Sequence, residues 1–195
     1  MISKIDICNM ALAQLGQEPI ASLEQEDERA RRCHLFYDPV RQEVLRTHHW
    51  AFACGQMPLA VLSSPQQAGE PYTYAYPQDC LFLRKVYESR NPSRPVPFKE
   101  VYRQDIQART IQCAVSQAQA EYTRDVRDEL LFDPAFVKAF SLALATDLAQ
   151  TLTADTALAQ RILQKYTLAL DEARRSNMSE EFMLHPAESA FVESR

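Results

Sequence analysis

Residues 45–53 read LRTHHWAFA, and the pattern of apolar residues differs on the two sides of this stretch. Before it, apolar residues recur every three or four positions, which is typical of an amphipathic helix. After it, short runs rich in β-branched and aromatic residues, separated by glycines and prolines, predict strands. The stretch also holds two adjacent histidines and the single tryptophan of the chain. It is therefore either a joint where the fold changes direction or the centre of a site.

Two helices are predicted before this stretch. Ser3 can cap the first, and Gly16 ends it, because glycine readily adopts the left-handed conformation that follows a helix. The second starts near Gln25 and ends near His48. Its apolar stripe keeps its phase across Pro39, so we expect one helix that is kinked at this proline.

The region after the stretch is predicted to form a small antiparallel sheet. Its β-branched and aromatic content favours strands, and the intervening segments are rich in serine, proline and glycine. The predicted strands are 53–62, 72–77, 80–89, 98–103, 109–115 and 120–126. The predicted connections include 63–71 and 90–97.

Two more helices are predicted near the C-terminus. Asp133 can cap the first of them, with Pro134 at its first position, where a missing N–H has no cost. This helix runs to about Leu152 and is apolar nearly all round, so we expect it to be central. A last helix is predicted over 155–177, and the polar residues 178–195 read as a tail.

These elements together predict an α+β fold that is mainly α. We expect a four-helix bundle, formed by two N-terminal and two C-terminal helices, with an inserted small antiparallel β domain. The bundle would be discontinuous, formed by residues 1–50 and 127–177, and the inserted β subdomain would span 51–126. The 195 residues suffice for one domain that carries an insertion of this size.

Charge and composition exclude several functions. The chain has 21 Lys and Arg against 26 Asp and Glu, a net charge of −5, and no basic stripe, which argues against binding to a nucleic-acid duplex. Its N-terminus is too polar for a signal peptide, and no run approaches the ~20 apolar residues of a membrane span. We therefore expect a product of the cytoplasm with no membrane partner.

The five cysteines are odd in number, widely spaced and without a CxxC pair. This pattern predicts reduced, buried thiols, with no disulfide framework and no zinc site. A pairing of a cysteine nucleophile with a histidine is left open by the sequence. The apolar neighbours of each cysteine would, however, raise the pKa of its thiol, which is the opposite of activation.

Motifs for catalysis or cofactor binding are missing. Three glycines cannot build a phosphate-binding loop, and neither GxSxG nor HExxH occurs. His48 and His49 would point about 100° apart on a helix, so a helix-terminus role is favoured over metal binding. Several carboxylates could serve as an acid–base pair, and nothing ranks them: Glu100, Glu121, Asp125, Asp128 and Glu129. The sequence thus predicts no catalytic residue, no metal ligand and no cofactor.

Two groups of aromatic residues remain to be interpreted. Trp50 and Phe52 follow the predicted helix end, and we interpret them as a structural joint that fills the angle between bundle and sheet, rather than as an exposed anchor for a partner. Tyr72, Tyr74 and Tyr76 alternate along one strand and so share one face. That face is either a subunit interface or the wet edge of a core.

The order of these segments resembles the tail tubular protein A family of short-tailed bacteriophages and their prophages, which supply head-to-tail adaptors. The resemblance rests on KIDICNMALAQLG (4–16), PIASLEQEDERARRCHLFYDPVRQEVLRTHHWAFA (19–53), YAYPQDCLFLRKVY (74–87) and LLFDPAFVKAFSLALATDLA (130–149). It covers the chain to about residue 180. The individual segments are simple patterns, whereas their order and spacing are fairly specific.

The resemblance implies a structural virion protein and not an enzyme. Twelve copies would form a ring that docks under the portal protein, joins a downstream nozzle-type tail protein and leaves a lumen through which DNA passes. Such a subunit is assembled in the host cytoplasm and ends in the neck or tail of the virion. An acidic chain suits a lumen that lets DNA slide without sticking.

Two other functions stay open at the level of sequence. One is a small cell-wall (peptidoglycan) hydrolase associated with a phage tail, which would need a carboxylate or thiol site that the sequence does not identify. The other is a cytoplasmic regulatory or interaction module. Purified protein that clears a cell-wall substrate would favour the first of these, and a portal gene beside this one would favour the adaptor.

Overall fold

A computed structural model describes residues 2–67, 69–153 and 155–183. The chain divides into two compact units. The helical unit contains the described residues up to Val44, the short segment Trp50–Phe52, and the described residues from Asp128 onward. The β unit contains Leu45–His49 and Ala53–Arg127.

Four α-helices occur among the described residues. They are α1 (Lys4–Gln14), α2 (Glu28–Arg46), α3 (Pro134–Leu152) and α4 (Thr156–Met183). Short 3-10 turns at Ala51–Ala53 and Glu129–Leu131 complete the helical structure. None of these helices combines the length and the apolar content needed to cross a membrane.

Local capping chemistry fixes the helix ends that the sequence predicts. The Ser3 hydroxyl accepts from the backbone N–H of Asp6, and the Asp6 carboxylate accepts from the N–H of Ser3, so α1 opens with a capping box. Gly16 follows α1 with a φ of 65°. Asp133 caps α3 by accepting from two backbone N–H groups of its first turn. Pro39 lies inside α2, so the prediction of one continuous helix there is confirmed.

The central helix of this unit is α3. It runs beside both α1 and α4, and among the described residues no other pair of helices approaches as closely. Its large side chains Phe136, Phe140, Leu144 and Leu148 are fully buried. Tyr37 of α2 meets Phe140 edge to face, with ring centroids 5.0 Å apart. The predicted central position of this helix is confirmed. Because α3 is apolar nearly all round, it can pack against other elements on every side.

Eight strands occur in the described part of the β unit. They are β1 (Cys54–Pro58), β2 (Val61–Ser63), β3 (Tyr72–Ala75), β4 (Cys80–Glu88), β5 (Asn91–Pro95), β6 (Phe98–Arg103), β7 (Ala108–Cys113) and β8 (Ala118–Arg124). All pairings are antiparallel, and they give two four-stranded sheets with the orders β1-β8-β4-β5 and β2-β3-β7-β6. One hydrophobic cluster takes residues from both sheets, including Leu83, Val86 and Tyr122 from the first and Tyr74 and Ile111 from the second.

The predicted fold class is wrong. The described residues hold four helices and eight strands in two antiparallel sheets, and the helices are not arranged as a four-helix bundle with an inserted small β domain. In a bundle, amphipathic helices share one core equally. Here α3 makes extensive contacts with α4 and α1, whereas α2 contacts it less extensively, for example through the ring of Tyr37. The pattern of apolar residues therefore identified the helices but not how they pack.

The β region is larger than predicted for two local reasons. The predicted strand 53–62 is broken after Pro58, and its halves enter different sheets as β1 and β2. The predicted connection 90–97 contains β5, which lies at the edge of its sheet, where proline is tolerated. At the C-terminus, α4 continues to Met183, beyond the predicted end at 177. The predicted tail beyond Met183 lies outside the described residues.

Gly55 of β1 supports a prediction about stability. A Cβ added there would lie 2.7 Å from Cγ of Arg124 and 2.8 Å from Cζ of the buried Tyr122 ring. Overpacking of this kind costs about 1–3 kcal/mol, so Gly55→Ala should lower the free energy of unfolding by that amount in urea titrations. Gln56→Ala, at an exposed neighbouring position, is the matched control and should change stability by less than about 0.5 kcal/mol. Wild-type stability of Gly55→Ala would show that the Tyr122 ring moves aside freely.

Candidate functional site

The segment LRTHHWAFA contributes to both units. Leu45–His49 belongs to the β unit and Trp50–Phe52 to the helical unit, after which the chain returns to the β unit. Helix α2 ends at Arg46, so both histidines lie beyond the helix.

Trp50 and Phe52 fill an aromatic cluster in the helical unit. The Trp50 side chain is 1% exposed, and its indole N–H donates to the carbonyl of Val44 over 3.1 Å. Its ring lies edge-on to Phe136 at 5.1 Å between centroids, and the Phe52 ring lies 5.0 Å from Phe136 and 5.8 Å from Phe132. Trp50 is thus a core residue of this unit. Its role as a joint between the two units stays a prediction.

Arg84 holds the first part of the segment on the sheet. Its guanidinium donates to Thr123 Oγ1 over 2.9 Å, to the carbonyl of Arg46 over 3.1 Å and to the carbonyl of His48 over 2.7 Å. Carbonyls at a helix end have no partner within the helix, so a cation there is favourable. We predicted a histidine in this helix-terminus role. The structure places Arg84 there, from a strand that is distant in the sequence.

An aromatic ring supports the same arrangement. The guanidinium of Arg84 lies 4.4 Å from the centroid of the Phe82 ring, and that of Arg46 lies 5.3 Å from it. Arg46 also donates to the carbonyl of Leu81. Burial, with a smaller contribution from Arg46, lowers the pKa of Arg84. These contacts fix the path of the chain up to His49.

His49 lies between a thiol and a carboxylate. Its Nε2 is 3.2 Å from Sγ of Cys54, the first residue of β1, and its Nδ1 is 3.7 Å from Oε1 of Glu121 on β8. Lys85 of β4 pairs with the same carboxylate oxygen, with Nζ 3.1 Å away. The result is a thiol, an imidazole and a carboxylate in sequence, which is the arrangement that activates a cysteine nucleophile.

The register of the sheet explains why these residues meet. In the pairing of β1 with β8, Cys54 lies opposite Thr123 and Gln56 opposite Glu121. Successive residues of a strand point to opposite faces, so these four side chains share one face of the sheet. The neighbouring residue Tyr122 points to the other face, into the hydrophobic cluster. Cys54 and Glu121 are therefore diagonal neighbours outside that cluster, within reach of His49.

Cys54 differs from the other cysteines. Cys8, Cys33 and Cys113 are buried, whereas Cys54 and Cys80 are partly exposed. The Cys80 thiol lies 3.4 Å from the Tyr76 hydroxyl, and burial raises its pKa. We predicted apolar surroundings for every cysteine, and at Cys54 the structure shows an imidazole instead. The spacing from His49 to Cys54 across a helix-to-strand turn was the one signal of this pair in the sequence.

Metal binding is not indicated. Among the described residues, no group of three or more His, Cys, Asp and Glu side chains could hold a metal ion. The carboxylates that the sequence left unranked have structural partners: Glu100 pairs with Arg109, Glu121 with Lys85, Asp125 with Arg127, Glu129 with the Tyr37 hydroxyl, and Asp128 with the backbone N–H of Leu130. Only Glu121 of this set also faces a histidine–cysteine pair in the described part of the chain.

The three tyrosines of β3 and its end lie against the hydrophobic cluster of the β unit. Tyr74 is fully buried and donates its hydroxyl to the carbonyl of Val115. Tyr72 and Tyr76 are half-buried beside the same cluster. The Arg109 guanidinium lies 4.0 Å from the Tyr76 ring centroid and donates to its hydroxyl over 2.8 Å. A role of Tyr72, Tyr74 and Tyr76 in a subunit interface stays a prediction.

The helical unit carries a shallow apolar groove between α1, α3 and α4, with a volume of about 490 Å³. Its apolar lining includes Met10, Leu142 and Leu168, and Leu168 is 70% exposed. Lys138, Lys165 and Glu172 also line it. A large aliphatic side chain exposed to this degree beside an apolar groove is typical of a surface that binds another protein.

The chain matches no protein-family model, and no curated protein matches its sequence.

Removal of the Trp50 ring tests the aromatic cluster. Trp50→Ala should lower the free energy of unfolding by about 3–5 kcal/mol, because a fully buried indole leaves a cavity among Phe52 and Phe136. Trp50→Phe keeps most of the ring contacts and loses only the hydrogen bond to Val44, so it should lower the free energy of unfolding by less. Thermal and urea unfolding measure both. A fully stable Trp50→Ala variant that fails to bind a partner would show that the ring serves recognition instead.

Proposed function

We propose that the chain is a subunit of the head-to-tail adaptor of a short-tailed bacteriophage or prophage. It assembles as a ring, twelve copies by the family resemblance, that docks under the portal and joins it to the downstream tail protein. DNA passes through the lumen. The resemblance of residues 4–16, 19–53, 74–87 and 130–149 supports this function, and the observation that carries it is a pair of complementary surfaces on the helical unit.

The first surface is the groove between α1, α3 and α4. Its lining is mostly apolar and includes two lysines and one glutamate, Lys138, Lys165 and Glu172. Lys138 is paired with Glu172 over 2.8 Å, but both side chains are more than half exposed, so this pair is weak and can exchange partners. Lys165 donates to the side chain of Gln14 over 3.2 Å. The groove therefore suits an apolar side chain flanked by acidic groups.

The second surface has that composition. Leu130 and Leu131, in the 3-10 turn before α3, are 57% and 51% exposed. Asp128 and Glu129 precede them directly. The occupant of the groove is thus a second copy of this chain, through its turn at residues 128–131.

A contact between two different surfaces leads to a ring. When the groove of one subunit takes the turn of the next, the interface is heterologous, and repeated heterologous contacts close into a ring if the rotation permits. The net charge of −5 fits a ring through which DNA moves, because acidic walls repel phosphates. Subunits of this kind assemble into the virion neck from the host cytoplasm.

Assembly on a portal ring tests this function. Purified chain mixed with the portal ring encoded in the same phage genome should form a complex with a ring of adaptor density under electron microscopy. Leu168→Asp and Leu130→Asp should each abolish the ring, because each places a charge in the proposed subunit contact. Leu35→Asp is the matched control, since Leu35 on α2 is 58% exposed and lies outside both surfaces.

Two outcomes would contradict the proposal. Wild-type chain that fails to bind the portal ring would overturn the adaptor function itself. A ring that forms equally well with Leu168→Asp and Leu130→Asp would keep the adaptor function and show that subunits meet through other surfaces. Monomeric behaviour of the free chain decides nothing here, because a portal ring can template the assembly.

A further inference from the structure

We propose that Cys54 is a nucleophilic thiol, paired with His49, that exchanges with small disulfides and so carries a reversible thiol modification. The substrate class is a low-molecular-weight disulfide such as glutathione disulfide. This inference does not depend on the adaptor function, since every residue it uses lies in the β unit and the subunit contact proposed above lies in the helical unit.

The geometry at Cys54 allows proton transfer from the thiol. His49 Nε2 lies 3.2 Å from Sγ, so a neutral imidazole can accept the thiol proton and leave a thiolate beside an imidazolium. On the opposite side of the ring, Nδ1 is 3.7 Å from Glu121 Oε1. This distance is too long for a hydrogen bond, but the negative charge of the carboxylate stabilises the protonated form of the imidazole.

Other titratable groups face the same place from the neighbouring strands. Lys85 of β4 pairs with Glu121 and offsets part of its charge, which reduces the repulsion between this carboxylate and a thiolate. Tyr87, also on β4, has a pKa that is raised by burial and then by Glu121 and Cys54, so its hydroxyl stays neutral near pH 7. Of the contacts described here, those of His49 with Cys54 and with Glu121 are the ones that favour a charged thiolate.

Access distinguishes Cys54 from the buried cysteines. Cys8, Cys33 and Cys113 are at most 3% exposed, and a dissolved disulfide cannot reach them in the folded chain. Cys54 is partly exposed and begins β1, an edge strand of its sheet. Cys80 is also partly exposed, but its thiol faces a tyrosine hydroxyl in place of an imidazole. Cys80 is therefore an internal control for exposure without activation.

The exchange reaction balances without an added oxidant. The Cys54 thiol gives its proton to His49 Nε2, and the thiolate attacks one sulfur of the disulfide R–S–S–R. A new S–S bond joins Cys54 to one R–S group while the original S–S bond breaks. The leaving thiolate takes the proton from the His49 imidazolium, which yields a mixed disulfide and free R–SH. An excess of a small thiol reverses the same steps.

The pH dependence of the reaction is its most specific signature. Below the pKa of a thiol, the thiolate fraction falls tenfold per pH unit, and a paired histidine delays this fall. The larger thiolate fraction is partly offset by lower reactivity, because a less basic thiolate is a weaker nucleophile. For a histidine-paired thiol, the two effects together leave an advantage of about tenfold at pH 6 over an unassisted thiol.

The test uses the full chain and glutathione disulfide. Peptide mass mapping after timed reaction at pH 6 and pH 9 gives the rates at Cys54 and Cys80 in the same molecules. Cys54 should react about tenfold faster than Cys80 at pH 6, with a smaller difference at pH 9, where a larger fraction of the unassisted Cys80 thiol, whose pKa burial raises, is ionised. His49→Gln should remove most of the advantage of Cys54 at pH 6 and little at pH 9. Cys80→Ser should leave the rate at Cys54 unchanged.

Several results would overturn the proposal. Equal rates at the two cysteines at pH 6 would do so from the wild-type chain alone, even if His49→Gln failed to fold. A folded His49→Gln variant whose Cys54 keeps the wild-type rate at pH 6 would show that the contact is structural. Faster reaction at both pH values by the same factor would assign the advantage of Cys54 to exposure and not to His49.

Discussion

The β unit depends on one guanidinium. Arg84 donates to a threonine hydroxyl of β8, to the carbonyl of Arg46 at the end of α2 and to the carbonyl of His48 just beyond it, and so ties Leu45–His49 to the sheet. Because the path of the chain is fixed up to His49, its imidazole reaches Cys54 and Glu121. The next three residues then belong to the helical unit, where Trp50 is buried among phenylalanines.

The features that the sequence could predict are those decided within a few residues. The capping box of Ser3, the cap at Asp133 with Pro134 behind it, and the continuity of α2 through Pro39 all follow from neighbouring side chains and backbone. Most strands were also predictable, since β-branched and aromatic runs mark them. The break after Pro58 and the pairing of β5 could not be predicted, because each depends on which strand lies alongside. The prediction of how the helices are arranged was wrong for the same reason.

The candidate site could not be predicted from patterns of neighbouring residues in the sequence. His49 and Cys54 are close in sequence, but their contact requires the helix to end at Arg46, and that end is fixed by Arg84 from another strand. Glu121 joins them only through the register of β1 with β8, where a shift of one residue would turn it to the opposite face. The sequence left a pairing of a cysteine with a histidine open, and the structure places one of the five unranked carboxylates, Glu121, beside His49.

The Cys54–His49 contact is not required to hold the segment in place. Arg84 already makes two hydrogen bonds to the carbonyls of Arg46 and His48 and one to Thr123, and Arg46 adds a bond to Leu81. A thiol contributes little further, because sulfur is a weak hydrogen-bond donor and acceptor. A half-exposed cysteine beside an imidazole is therefore better explained by its reactivity than by its packing. For the same reason, changes at Cys54 can alter the chemistry of the β unit while leaving its fold intact.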